Sequence, residues 1–139
     1  MRVLGIDFGA KRLGLAIGDT ATGVATALST LERPSSEVAL FEALRRLCAE
    51  RGVEALVVGL PLNMNGSRGP QAVAASAFAD RLREELGLPV ETWDERLSTA
   101  EVERALIAGG LSRKKRKGRR DRLAAQLILQ SYLDAHRAR

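Results

Sequence analysis

The sequence holds one cysteine, Cys48, and one histidine, His136. A lone cysteine builds no disulfide within the chain, and one Cys with one His falls short of a zinc site, so any catalytic metal has to be held by oxygen. Aromatic residues make up 4% of the chain, too few for the base-stacking surface on which single-stranded nucleic-acid binders rely. Trp93 and Tyr132 therefore read as packing residues. His136, near the end of the last helix, suits the negative end of the helix dipole, reads as solvent-exposed and is assigned no chemistry. No apolar run approaches the ~18 residues of a membrane span, and the start Val3-Leu4-Gly5-Ile6 is too short for a signal peptide. A cytoplasmic protein with no membrane partner is expected.

What is present suits one compact domain: 139 residues, 45% of them hydrophobic, within the usual range of roughly 100 to 200 residues per domain. The net charge of +5 is a local feature. Arg113, Lys114, Lys115, Arg116, Lys117, Arg119, Arg120 and Arg122 fall within ten residues beside a single acid, Asp121, while the other 14 basic and 16 acidic residues nearly cancel. Charge concentrated in this way points to a polyanion contacted at one place.

Val3 to Phe8 and Leu13 to Asp19 read as two strands around the turn Gly9-Ala10-Lys11-Arg12, with a third strand over Val24 to Leu31 ended by Pro34. Ser35 or Ser36 can cap a helix to about Arg51, with Val38, Phe41, Leu44, Leu47 and Cys48 as its apolar stripe and Gly52 as its stop. Cys48 on that stripe reads as a small buried hydrophobe. Val53 to Gly59 has the continuous apolar character of a buried parallel strand. Pro61 to Pro70 is too rich in Gly, Pro and Asn for a regular element. A helix from Gln71 to Leu86, a strand from Pro89 to Trp93, a helix from Ser98 to Ala108, a basic loop and a last helix from about Arg120 to Arg137 complete the order. Three meandering strands followed by βα units give an α/β fold, a mixed five-stranded sheet with helices packed on it, in which right-handed crossovers set strand four beside strand one.

Asp7 closes an apolar strand expected to be central, a costly place for a carboxylate unless a cation or a hydrogen-bonded turn stabilises it. A hard divalent ion prefers carboxylate oxygens, waters and substrate phosphates. Asp94 and Glu95 follow the fifth strand. If that strand runs to residue 95 the two project to opposite faces, so one alone joins a shared site. Glu95 is the choice, with Asp94 left to cap the helix near Ser98. Asp121 opens the last helix, where the dipole alone would favour it, and where it also suits a metal ligand beside phosphate contacts.

Ile6-Asp7-Phe8-Gly9 with Leu13 to Asp19, Gly59 to Ser67, Asp94-Glu95-Arg96-Leu97-Ser98-Thr99 and Asp121 to Leu133 together resemble the bacterial RuvX/YqgF family, four motifs in order along the whole chain. The resemblance implies a ribonuclease H-like fold related to RuvC and a Holliday junction resolvase activity in recombination and repair, with maturation of pre-16S ribosomal RNA as the alternative. It implies Asp7, Glu95 and Asp121 as the catalytic, metal-binding carboxylates and places Asn63, Asn65 and Ser67 in a loop near the substrate. Lys11, Arg12, Arg68 and Arg96 join the run Arg113 to Arg120 as expected nucleic-acid contacts. That run is more basic than expected of the family and could alter substrate preference.

With these roles the expected reaction is phosphodiester hydrolysis with two Mg²⁺ or Mn²⁺ ions held roughly 3.5 to 4 Å apart. A four-way junction has two-fold symmetry, so a resolvase is expected to act as a homodimer. Branched DNA and precursor ribosomal RNA are the two expected partners, and a non-catalytic nucleic-acid-binding factor is the third reading. Asp7-Phe8-Gly9 with Leu13-Gly14-Leu15 also resembles the phosphate hairpin of actin-like and sugar-kinase ATPases, but those need a duplicated domain that 139 residues do not supply.

Overall fold

The computed structural model describes residues 1–98 and 113–137, with side chains described to 98 and over 121–136. Strands β1 (Arg2–Phe8), β2 (Arg12–Asp19) and β3 (Val24–Glu32) form an antiparallel meander. Helix α1 (Glu37–Arg51) leads to β4 (Ala55–Leu60), and α2 (Pro70–Leu86) leads to β5 (Val90–Asp94). The sheet order is β3-β2-β1-β4-β5, with β4 parallel to both β1 and β5. The expected mixed five-stranded sheet is therefore present, with strand four beside strand one. A last helix, α3 (Arg113–Arg137), packs on β1, β2 and β3. The helix expected from Ser98 to Ala108 lies outside the described residues apart from Ser98 itself, which is extended.

The two sheet faces differ in side-chain size. Leu4 and Ile6 of β1, Leu13 and Leu15 of β2, and Leu56, Val58 and Leu60 of β4 face α1 and α2 in one core. Because neighbours along a strand point to opposite faces, the residues between them face α3, and these are small: Val3, Ala16, Ala55 and Val57, with Gly5, Gly14, Gly18 and Gly59. Burying a Leu or Ile fully contributes about 2 kcal/mol, so on the α1/α2 face the sheet supplies large side chains of its own, whereas on the other face the large ones, Ile128, Leu129 and Leu133, come from the last helix. The small face lets a helix lie close to the strands.

Helix α1 begins where Ser36 accepts a hydrogen bond from the Ala39 N–H at 3.3 Å and ends at Gly52, whose φ of 64° is the left-handed conformation glycine adopts without strain. The buried stripe is Leu40, Phe41, Leu44 and Cys48, and Val38, expected on it, is 79% exposed. Leu40, four residues before Leu44, falls on the stripe, whereas Val38, six before, is turned about 120° away. Cys48 is packed in the core, and burial pushes its thiol up to about 11, as suits an inert structural cysteine.

The basic run also differs from expectation. It is helical, opening α3 at Arg113 instead of forming a loop before a helix at Arg120. Lys and Arg are good helix formers, and Gly118 alone in the run is a weak one, so intrinsic propensity outweighs like-charge repulsion there.

Candidate active site

The parallel strands β1, β4 and β5 end on the same edge of the sheet, the edge where open α/β folds place their ligands. Asp7 is the last residue but one of β1 and pairs with Gly14 of β2. Alternation puts its side chain on the small-residue face under α3, and it is 8% exposed.

Glu95 does not continue β5 as one sequence expectation had it. The strand stops at Asp94, and Glu95 opens a short 3-10 turn, Glu95–Leu97. Asp94 caps this turn, accepting from the Arg96 backbone N–H at 2.9 Å and from the Arg96 guanidinium at 2.8 to 3.1 Å. The Arg96 hydrogen bond, more than any other contact, holds the Asp94 carboxyl below the usual carboxylate range. Asp94 thus caps the turn that carries Glu95, in place of the helix expected at Ser98. Glu95 itself is 3% exposed. A Cβ at Gly59 would stand 3.2 Å from its Cγ, so the glycine of β4 makes room for it.

Asp121 was expected at the start of the last helix, but α3 begins eight residues earlier. The helix dipole falls off within the first turn and so does not account for an acid this far in. Its position comes instead from the contact between α3 and β2, where a Cβ at Gly14 would meet the Asp121 carbonyl oxygen at 2.0 Å. Gly14 is also the partner of Asp7. One close helix-on-strand contact therefore brings the elements that carry Asp7 and Asp121 together at Gly14.

Asp7, Glu95 and Asp121 line one open cavity of about 530 Å³, bordered also by the β1–β2 turn, Pro61, Arg33 and the start of α2. Asp7 and Glu95 are the buried charged residues among those described. Among the described residues no three His, Cys, Asp or Glu side chains form a ready-made ion cage, so the carboxylates border a shared space without closing on one point. An all-oxygen, incomplete donor set fits Mg²⁺ or Mn²⁺, hard ions that keep waters and bind with the substrate's phosphates.

The remaining expected contacts are distributed around this edge. Lys11 sits in the β1–β2 turn that borders the cavity and Arg12 opens β2 beside it, its carbonyl accepting from the Gly9 N–H at 3.0 Å. Asn63, Asn65 and Ser67 bind one another. Asn63 donates to Ser67 Oγ at 3.0 Å, and Asn65 Oδ1 accepts from the Ser67 hydroxyl at 2.6 Å and its backbone N–H at 3.0 Å. Their polar groups shape the loop between β4 and α2. Arg68 donates to Ser76 Oγ at 3.2 Å, and Arg96, besides Asp94, donates to the Met64 carbonyl at 3.2 Å, tying the loop to the Glu95 turn. The side chains of Arg113, Lys114, Lys115, Arg116, Lys117, Arg119 and Arg120 lie outside those described. Trp93 packs edge-on against Tyr132 and donates to Ser131 Oγ at 3.0 Å, so both aromatics are structural. His136 is exposed, with Nδ1 2.8 Å from the Tyr132 carbonyl.

Arg33 was missed in the sequence. It follows β3, far along the chain from every motif, and reaches the cavity because β3 pairs with β2, which sets Glu32 opposite Arg12. The pairing of a basic strand end with the basic turn at Lys11-Arg12 was the available signal.

The sequence model of the RuvX family, described as Holliday junction resolvase, matches residues 1–135. A candidate pre-16S rRNA nuclease of Geobacillus thermodenitrificans is 52% identical over 99% of this chain and 100% of its own length, and its counterpart in Geobacillus kaustophilus is 50% identical over the same shares. Among solved structures, Thermus thermophilus RuvC in complex with a Holliday junction superposes with a TM-score of 0.60 at 16% identity, covering 98% of this chain and 95% of that one. That likeness establishes the ribonuclease H-like fold. The family model and the full-length relatives show that the chain belongs to the RuvX family of nucleases.

Proposed function

We propose that this protein is a metal-dependent ribonuclease that processes precursor 16S ribosomal RNA, cutting with Asp7, Glu95 and Asp121. The observation that carries the reading is the meeting of these three acids, drawn from β1, the turn after β5 and α3, in one cavity at the strand ends. The choice of RNA over a DNA junction reverses the order expected from the sequence. Relatives about half identical along their full length bear the pre-16S name, whereas likeness to the junction-bound RuvC, at 16% identity, speaks only for the fold. An RNA substrate also removes the requirement for a homodimer, which rested on junction symmetry.

The three carboxylates would hold divalent ions, which when bound supply an activated water and neutralise charge on the leaving 3′ oxygen. The chain's own part is positioning. The β-sheet fixes Asp7, the Asp94–Arg96 pair fixes the turn bearing Glu95, and the close seat of α3 on β2 fixes Asp121. Water adds to phosphorus in line with the departing 3′ oxygen, leaving a 3′ hydroxyl and a 5′ phosphate. Loss of the charged carboxylate at any of the three would weaken the hold on such ions and on the phosphodiester they orient.

Substrate is grasped in part by the cationic start of α3, where the positive end of the helix dipole adds to the lysine and arginine charge. Replacing Arg113, Lys114, Lys115, Arg116 and Lys117 with alanine is expected to weaken RNA binding and flatten its salt dependence. The log–log slope falls by about 0.7 on single strands, and by about 0.9 on duplex, for every phosphate that the variant no longer neutralises. A titration series at several salt concentrations measures this, and an unchanged slope makes the run a bystander.

The test of function sets labelled precursor 16S RNA, a four-way DNA junction and linear duplex before the wild type and Asp7→Asn, with Mg²⁺ or Mn²⁺. Asp7-dependent cutting of the RNA is the expected result. Paired symmetric nicks in the junction, with the RNA untouched, would return the protein to recombination, and inertness toward all three would leave a binding factor.

A further inference from the structure

Among the described residues that line the carboxylate cavity, Arg33 is the cation. Its position is fixed from three directions. The backbone N–H donates to the Lys11 carbonyl at 2.9 Å, extending the β2–β3 pairing by one bond. Nη1 donates to the carbonyls of Gly9 and Ala10 at 3.2 and 3.1 Å. The guanidinium carbon lies 4.6 Å from the centroid of the Phe8 ring, and Phe8 stacks on Phe78 with centroids 4.2 Å apart and planes 10° from parallel. Phe78 is itself stacked on Phe41 in the main core. The arginine head is thus mounted on a column of rings rooted in the hydrophobic interior. Consecutive residues of β1 serve the two sides of the site, Asp7 on the α3 face and Phe8 beneath Arg33 on the other.

Two carbonyl contacts need only a neutral donor. Nε and Nη2 donate to no described residue, and the guanidinium brings a full positive charge to a cavity whose other charged lining residues are acids. A planar fork with unused donors matches a phosphodiester's two non-bridging oxygens, and the column holds it there before substrate arrives, which is the condition for stabilising charge in the transition state. We infer that Arg33 contacts the phosphodiester being cleaved, from the side opposite Asp7, Glu95 and Asp121. The inference rests on the nuclease reading above and adds to it a substrate-contacting residue.

Arg33→Gln removes the charge while keeping a shorter neutral N–H donor on the same stem, and the melting temperature reports whether the turn at Gly9 and Ala10 is still held. Cleavage of precursor 16S RNA should slow by about 100-fold under single-turnover conditions, the scale of losing one preorganised transition-state donor, while the melting temperature and the Kd for RNA stay near wild type. Arg33→Ala should be slowed further and be partly rescued by added guanidinium ions but not by sodium at equal ionic strength. Wild-type rates in Arg33→Gln overturn the inference, as does a rate loss that follows the melting temperature without guanidinium rescue, which would leave Arg33 a clamp for the β1–β2 turn. Asp7→Asn run alongside tells the two levels apart. If it is dead while the Arg33 variants are active, the inference alone fails; if the wild type shows no Asp7-dependent cleavage, the nuclease reading fails and takes the inference with it.

Discussion

Asp7→Asn is expected to abolish cleavage, with a loss on the order of 10⁴-fold, the scale seen when one member of a group that acts as a unit is removed. Asparagine has nearly the shape of aspartate, so β1 and its pairing with Gly14 are retained and the variant should melt as a folded protein. The change removes a negative charge from a residue 8% exposed, where it cannot be replaced by a solvated neighbour. Binding of RNA without metal should therefore be unchanged or tighter, since one source of repulsion toward phosphate is gone. Cleavage rates with Mg²⁺ and Mn²⁺, set beside binding in chelator, measure both halves. Loss of binding in parallel with cleavage would mean that Asp7 holds the fold or the RNA and not the ions.

The sheet was legible because its signals are local. Strand length, the turn at Gly9-Ala10-Lys11-Arg12, the apolar run before Leu60 and the capping residues Ser36 and Gly52 each act over a few neighbours, and the right-handed crossover rule then orders the strands. Asp7 was legible as a charge placed at the end of an apolar strand. Glu95 lines the cavity, but not for the reason expected. Strand alternation does not select it, because a 3-10 turn capped by Asp94 intervenes.

What the sequence hid depends on contacts between distant segments. Arg33 reaches the cavity through strand pairing across a hairpin and a ring column that includes Phe78 from α2. The start of α3 was hidden by its own charge, since eight bases in ten residues read as solvated loop while their propensity is helical. The alternation of large and small residues in Leu13-Gly14-Leu15-Ala16-Ile17-Gly18 is plain in the sequence. That the small side receives the last helix, and that this seat places Asp121, emerges only once the sheet is assembled.

That seat supplies the second large effect. A methyl group at Gly14 would lie 2.0 Å from the Asp121 carbonyl oxygen, 2.3 Å from its carbon and 2.9 Å from the Arg122 nitrogen. All three are backbone atoms, so no side-chain rotation relieves the clash, and either β2 bends or α3 lifts. Gly14→Ala should therefore cost about 1 to 3 kcal/mol, the usual range for overpacking. It should also shift Asp121 relative to Asp7, and a displacement of about 1 Å at a reacting centre costs roughly 100-fold in rate. The comparison is Gly59→Ala, which meets side chains instead of backbone, Ile128 at 2.7 Å and Glu95 at 3.2 Å, so its stability cost should be smaller while its rate reports on the seat of Glu95. A further comparison is Gly52→Ala, with open space around it but a φ of +64°, which should lower stability through backbone strain and leave the rate per folded molecule intact. Denaturant midpoints and single-turnover rates for the three variants decide the matter. If Gly14→Ala matches wild type in both, α3 does not rest on β2 at that point and Asp121 is not held by this contact; if it loses rate beyond the fraction unfolded while Gly52→Ala does not, the glycine acts on the active site through the helix it admits.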